Sequence, residues 1–306
     1  MEKYRSSKGS RGVWIFVLLA LALLIYFALG AYAASRWMKP RRDTEFVARP
    51  SAFNLEYRDV TVPSRDAGIQ LSGWWIPRAG STKAIVMVHG RGENRTTEFY
   101  DHFLDLGAAL HGFQGRGFNV LMIDLRAHGL SGGDICGWGV AERRDVEGSV
   151  DWVKAQGFRP SSIGVLGASL GATSSVHAAA EDPDISALVV DGAGVNDYTT
   201  IKRSWTRTTS LPQWFFPAGL LMERLLYGYD MRTLRPVDDM KKLRSRPVIL
   251  IYGSREINGE RQALVKDALP DAELWVVPGA AHTGAYTAVP QPYLEKVGAF
   301  YEKNLN

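Results

Sequence analysis

A serine framed by glycines, a histidine near the C-terminus and a carboxylate between them are the residues of this chain that can do chemistry together. Gly167-Ala168-Ser169-Leu170-Gly171 follows a short apolar run, Ser162–Leu166, and opens a helical stretch, Leu170–Ala180. A sharp strand-to-helix turn strains the serine backbone and lifts its hydroxyl clear of the sheet. Side chains larger than glycine or alanine two positions either side would collide with the adjoining elements. The motif by itself recurs by chance; its placement between strand and helix gives it weight.

A serine hydroxyl is a weak nucleophile at neutral pH and needs an adjacent base. Of the six histidines, His282 directly follows the apolar run Leu274–Val277, in Gly279-Ala280-Ala281-His282. Loops leaving the carboxyl ends of parallel strands converge, so His282 can meet Ser169 across a long sequence separation. His102, His111 and His177 fall in helical stretches and read as surface or packing residues. His89 and His128 each precede glycine at a strand end and read as structural hydrogen-bonding groups. The base needs a carboxylate to orient it and to balance its charge. The candidate is Glu256, in Tyr252-Gly253-Ser254-Arg255-Glu256, with Asp191 as the alternative acid. Asp267 and Asp271 are poorer choices, one helical and one opening a strand. Acyl transfer also needs backbone N–H groups for the developing oxyanion. Leu170, next after the nucleophile, supplies one, and Arg91, after His89-Gly90, supplies the other. This chemistry calls for no cofactor and no metal. Neither phosphate-cradling glycine motif occurs at the first strand–helix junction. The single cysteine, Cys136, allows no internal disulfide and reads as an inert thiol.

The elements that must position these groups follow from hydropathy. Glu56–Val62 and Ile69–Ile76 flank the turn Ser64–Gly68 and predict a hairpin. Apolar runs at 84–88, 118–124, 162–166, 187–190, 247–252 and 273–277 alternate with helical stretches at 97–110, 141–156 and 170–180, and with helices from Arg261 and Pro292. That alternation implies an α/β fold with a mostly parallel central sheet flanked by helices. Residues 198–246 interrupt it. They are too long for a structureless loop and read as a small helical cap, with Trp214 to Leu226 as its apolar face.

Ahead of the domain, residues 13–34 carry no charge and exceed the roughly 18–20 residues that span a bilayer. Lys3, Arg5, Lys8 and Arg11 precede the run, and Arg36, Lys39, Arg41 and Arg42 follow it. The expected order is a basic tail (1–12), a transmembrane helix (13–34), a linker (35–54) and the catalytic domain (55–306). A cleaved signal peptide, cut near Ala33, is the other reading, although its apolar core would be unusually long. A short basic N-terminus kept inside places the catalytic domain outside the cytoplasm. The formal net charge of +4 gathers around the apolar run and not on a nucleic-acid face.

The motifs quoted above, with Asp124-Leu125-Arg126-Ala127-His128-Gly129-Leu130-Ser131-Gly132, cover residues 55 to 304 in one order. Together they resemble the α/β-hydrolase family, most of all its membrane-tethered or secreted bacterial members grouped with serine aminopeptidase-like and esterase-like enzymes. The resemblance implies a Ser169–Glu256–His282 triad; that family more often carries Asp at the acid position. The expected activity is hydrolysis of an ester, thioester or amide of a small or lipid-like acyl substrate through an acyl-enzyme. A peptidase or acyltransferase of the same fold, and more distantly a non-catalytic membrane-anchored interaction module, are the alternatives.

Overall fold

Each apolar run joins its neighbours in one eight-stranded sheet in the computed structural model, which describes residues 8–195 and 197–306. Lys3 and Arg5 of the expected basic tail lie outside the described residues. The strands are β1 (Arg58–Pro63), β2 (Gln70–Ile76), β3 (Ala84–Val88), β4 (Asn119–Ile123), β5 (Ile163–Ala168), β6 (Ala187–Asp191), β7 (Val248–Gly253) and β8 (Glu273–Val277). Their order is β1-β2-β4-β3-β5-β6-β7-β8. β2 runs antiparallel to β1 and β4, forming the expected hairpin; every other pairing is parallel.

The helices are α1 (Lys8–Met38), α2 (Glu98–Asp101), α3 (Phe103–His111), α4 (Arg143–Ala155), α5 (Leu170–Glu181), α6 (Asp197–Thr209), α7 (Phe216–Tyr227), α8 (Pro236–Lys241), α9 (Gly259–Ala268), α10 (Ala285–Ala288) and α11 (Pro290–Asn304). The two-residue period of a strand sends successive side chains to opposite faces. Val86, Val165 and Val190 join Val146 and Val150 of α4 and Val176 of α5 in one core. Ile85, Met87 and Val189 join Leu106 and Leu110 of α3 and Tyr293 and Val297 of α11 in the other. Strands buried on both faces explain why their sequences read as continuous apolar runs.

The chain divides into two compact units. The larger holds Lys39–Tyr198 and Met231–Asn306, and with them the sheet. The smaller joins the N-terminal helix to Thr199–Asp230, so the segment from Met231 to Arg246, expected in the cap, belongs with the sheet. Within the smaller unit α1 continues to Met38, four residues beyond the uncharged run. A span of it, Gly12–Met38, is long and apolar enough to cross a membrane, with a mean hydropathy of 2.7 in its most apolar window. Val13 to Ile25 is exposed throughout, whereas Gly30, Ala33, Ala34, Trp37 and Met38 are buried. The partner is α7. A side chain on Gly30 would come within 2.7 Å of Ala218 Cβ, so only glycine permits this approach. Tyr26 donates its hydroxyl hydrogen to the Trp214 carbonyl and stacks on Phe215. Trp37 packs on Trp205 and Phe216.

Candidate active site

The carboxyl ends of β3, β5, β6 and β7 and the turn after β8 supply the chemical groups. Ser169 caps β5 with φ 51° and ψ −113°, a conformation few non-glycine residues hold. Its N–H donates to the Asp191 carbonyl at 2.8 Å, tying the turn to the end of β6. The flanking glycines have steric reasons. A Cβ on Gly167 would lie 2.4 Å from the Gly171 carbonyl oxygen, and one on Gly171 would lie 2.2 Å from that of Val88. The elbow is therefore packed tightly onto the end of β3.

His282 Nε2 stands 2.8 Å from Ser169 Oγ, and its Nδ1 is hydrogen-bonded to Glu256 Oε2. Glu256 is held in turn: the Gly253 N–H donates to its other oxygen, Oε1, at 2.7 Å. A carboxylate can only accept, so Nδ1 carries the proton and a neutral ring offers the Nε2 lone pair to the serine. Burial pulls the imidazole pKa down. The hydrogen bond to Glu256 and the charges of Glu256 and Glu98 outweigh it, and the net direction is up. The structure thus brings Ser169, His282 and Glu256 together in the order expected.

Asp191, the alternative acid, is placed otherwise. Its Oδ2 accepts from the Tyr293 hydroxyl at 2.9 Å, and Oδ1 is buried with no hydrogen-bond partner among the described residues. Burial pushes its pKa up to about 8, against the lowering effect of the Tyr293 hydrogen bond. A carboxyl that is neutral at pH 7 and turned to Tyr293 is ill-suited to balance an imidazolium.

Leu170 opens α5, and first-turn N–H groups have no acceptor within their own helix. Arg91 lies in the loop after β3, with its guanidinium 4.6 Å from the centre of the Trp138 ring. What fixes that loop has no motif in the sequence. Buried Glu98 accepts a hydrogen bond from the Gly90 N–H through Oε2. A Cβ on Gly90 would meet that oxygen at 2.3 Å and Ser169 Cβ at 2.9 Å, so the loop, the acid and the nucleophile are in contact. The helical stretch expected over 97–110 is broken into α2 and α3, with Phe99, Tyr100 and Asp101 at positive φ, and Glu98 belongs to the broken part. Arg95, in the same loop, makes a fully buried ion pair at 2.6 Å with Asp124, which directly follows β4.

The other histidines have structural bonds. His89 Nε2 accepts from the Leu125 N–H at 3.0 Å, and its Nδ1 lies 2.7 Å from the Gly90 carbonyl. His128 Nδ1 lies 2.7 Å from the Arg126 carbonyl. Burial lowers both pKa values, that of His128 to about 3. His111 Nε2 lies 3.0 Å from the Pro77 carbonyl, and His177 pairs with Asp239. Burial pushes the Cys136 thiol well above its ordinary range, which leaves it unreactive. No group of acidic, histidine and cysteine residues among the described residues has the arrangement of a metal site.

Comparison with known proteins agrees with this architecture. The model of the X-Pro dipeptidyl-peptidase (S15) family matches residues 36–291. The uncharacterized protein YqkD of Bacillus subtilis is 24% identical over 312 residues, covering 95% of this chain and 98% of that one. Among solved structures, the Pyrococcus furiosus esterase Pf2001 is 27% identical, covering 88% of this chain and all of that one, with a TM-score of 0.70. The dienelactone hydrolase of Anabaena variabilis shares the fold at 20% identity and a TM-score of 0.53, over 82% of this chain and 99% of that one.

Proposed function

The chain belongs to the X-Pro dipeptidyl-peptidase (S15) family of hydrolases, and we propose that it cleaves carboxylic esters through an acyl-enzyme on Ser169. The observation that carries this reading is the continuous path from Ser169 Oγ through His282 to the Glu256 carboxylate. His282 Nε2 takes the hydroxyl proton as Oγ bonds to the substrate carbonyl carbon. The backbone N–H groups of Arg91 and Leu170 hold the oxyanion as the carbonyl double bond opens. The oxyanion collapses, the bond to the leaving oxygen breaks, and the Nε2 proton goes to that oxygen. Water then enters by the same route, giving up a proton to His282, and the acid product leaves as Oγ regains its hydrogen. Throughout, Glu256 keeps Nδ1 protonated and balances the imidazolium without itself taking the proton.

Carboxylic esters are preferred over peptides on the strength of the likeness to the Pyrococcus esterase. The description of the matching family supports a second reading, cleavage after an Xaa-Pro dipeptide. Comparing kcat/KM on p-nitrophenyl esters of graded acyl length with that on Xaa-Pro p-nitroanilides separates them. Faster turnover of the esters sustains the proposal; faster turnover of the anilides replaces it with the peptidase reading. We further read α1 as a retained single-pass anchor, with the sheet-bearing unit outside the cytoplasm. Protease shaving of sealed vesicles of known sidedness tests that orientation.

A further inference from the structure

The smaller unit contains more apolar surface than an anchor helix needs. α1 has 31 residues, and its uncharged run begins at Val13. The exposed stretch from Val13 to Ile25 rises about 20 Å at ~1.5 Å per residue, short of the ~30 Å hydrocarbon core. A full span therefore continues past Tyr26 and Gly30, the residues that contact Trp214, Phe215 and Ala218. Whatever packs on Tyr26 and Gly30 shares their depth. Residues 211–222 contain no charged side chain, and of the two charges that follow in α7, Glu223 is buried and Arg224 lies in the last turn, where its long stem can carry the guanidinium to the headgroups. Trp214, Leu221, Leu225 and Leu226 are left exposed, Leu225 by 67%. The contact is close because small residues meet there, Gly30 of α1 against Ala218 of α7, the pattern by which helices approach closely in lipid.

We propose that α7 and the turn before it form a second, re-entrant membrane element, seated beside α1 in the lipid bilayer with Trp214, Leu221, Leu225 and Leu226 against the acyl chains. The occupant of this face is the bilayer itself, because the face is continuous with a helix of membrane-spanning length. One consequence is that α1 is not removed. Cutting near Ala33 would take Tyr26 and Gly30 away from α7 and uncover Phe215 and Ala218. The inference rests on the reading of α1 as a membrane span and is independent of the ester chemistry.

The test uses the full-length chain in phosphatidylcholine–phosphatidylglycerol vesicles. Single cysteines replace Leu18, Leu225, Leu226 or Lys266 in a Cys136→Ser background and carry an environment-sensitive nitrobenzoxadiazole label. Lipids with a nitroxide on the acyl chain then serve as quenchers. Labels at 225 and 226 are expected to be quenched nearly as strongly as the label at 18, with blue-shifted emission, while the label at 266 keeps its intensity. Quenching at 18 without quenching at 225 and 226 overturns the re-entrant element and leaves the anchor standing. Loss of quenching at 18 as well overturns the anchor reading and the element with it. Iodide in the aqueous phase supplies the reciprocal readout, expected to quench 266 and to spare the other three.

Discussion

Replacing Ser169 by glycine and by alanine, side by side, separates what this residue does for chemistry from what it costs the fold. Both variants lose Oγ and its 2.8 Å hydrogen bond to His282, so both lose turnover. They differ at Cβ alone. At φ 51° and ψ −113° a residue with a Cβ is strained, by about 1–3 kcal/mol. Alanine keeps that strain. Glycine releases it, and gives back about 0.5–1 kcal/mol through the greater freedom of its unfolded chain. The balance favours glycine by about 1 kcal/mol, the reverse of the usual ordering of the two residues. In a chain of this size such a difference moves the melting midpoint by about 1–3 °C. Thermal unfolding of the two full-length variants in the same detergent, followed by tryptophan fluorescence, measures it. An alanine variant as stable as the glycine variant, or more so, refutes the argument that the elbow stores strain.

Glu256→Gln should lower kcat by about 10²–10⁴-fold, as expected for loss of a carboxylate that orients a catalytic base. Asp191→Asn, which still offers Tyr293 an acceptor, should lose far less; the reverse ranking would make Asp191 the acid. Because His282 is raised above the ordinary histidine value, largely through its bond to Glu256 and that carboxylate's charge set against burial, the acidic limb of kcat/KM should lie above that value. In Glu256→Gln it should move to lower pH. Asp191 has its own pH signature. Burial raises its folded-state pKa to about 8, so the stability it contributes is full below the ordinary carboxylate range and is lost as pH rises through 8. Asp191→Asn should therefore gain on the wild type across that window, as urea titrations at several pH values would register. Gly171→Ala puts a Cβ 2.2 Å from the Val88 carbonyl oxygen and should cost about 1–3 kcal/mol through forced backbone shifts; an unchanged urea midpoint would contradict that packing. Asp124→Asn strands the buried Arg95 guanidinium, at about 3–5 kcal/mol, read from the same titration.

What the sequence revealed and what it withheld have physical causes. Runs such as Ala84–Val88 and Asn119–Ile123 are buried on both faces, so their apolar continuity marks them as strands whatever lies beside them. Ser169 was legible because only small residues fit at Gly167 and Gly171, which leaves a short, fixed pattern. Glu256 and His282 were legible because each follows a strand end. The Tyr293–Asp191 bond was not, since it joins residues 102 positions apart, and neither element's period records the other. Glu98 was hidden because the helical spacing over 97–110 does not record the break between α2 and α3. The alliance of α1 with α7 was hidden for a different reason. A helix apolar on every side shows no preferred face, so lipid contact and protein contact look alike in its sequence.

Whether Ser169 is an activated nucleophile is tested most directly by mass-spectrometric mapping of a fluorophosphonate adduct. Treated at neutral pH, the full-length protein should gain one phosphonyl group, recovered on the peptide bearing Ser169. Labelling should fall sharply in His282→Ala and vanish in Ser169→Ala. A protein that stays unlabelled, or an adduct that persists in Ser169→Ala, would contradict the account.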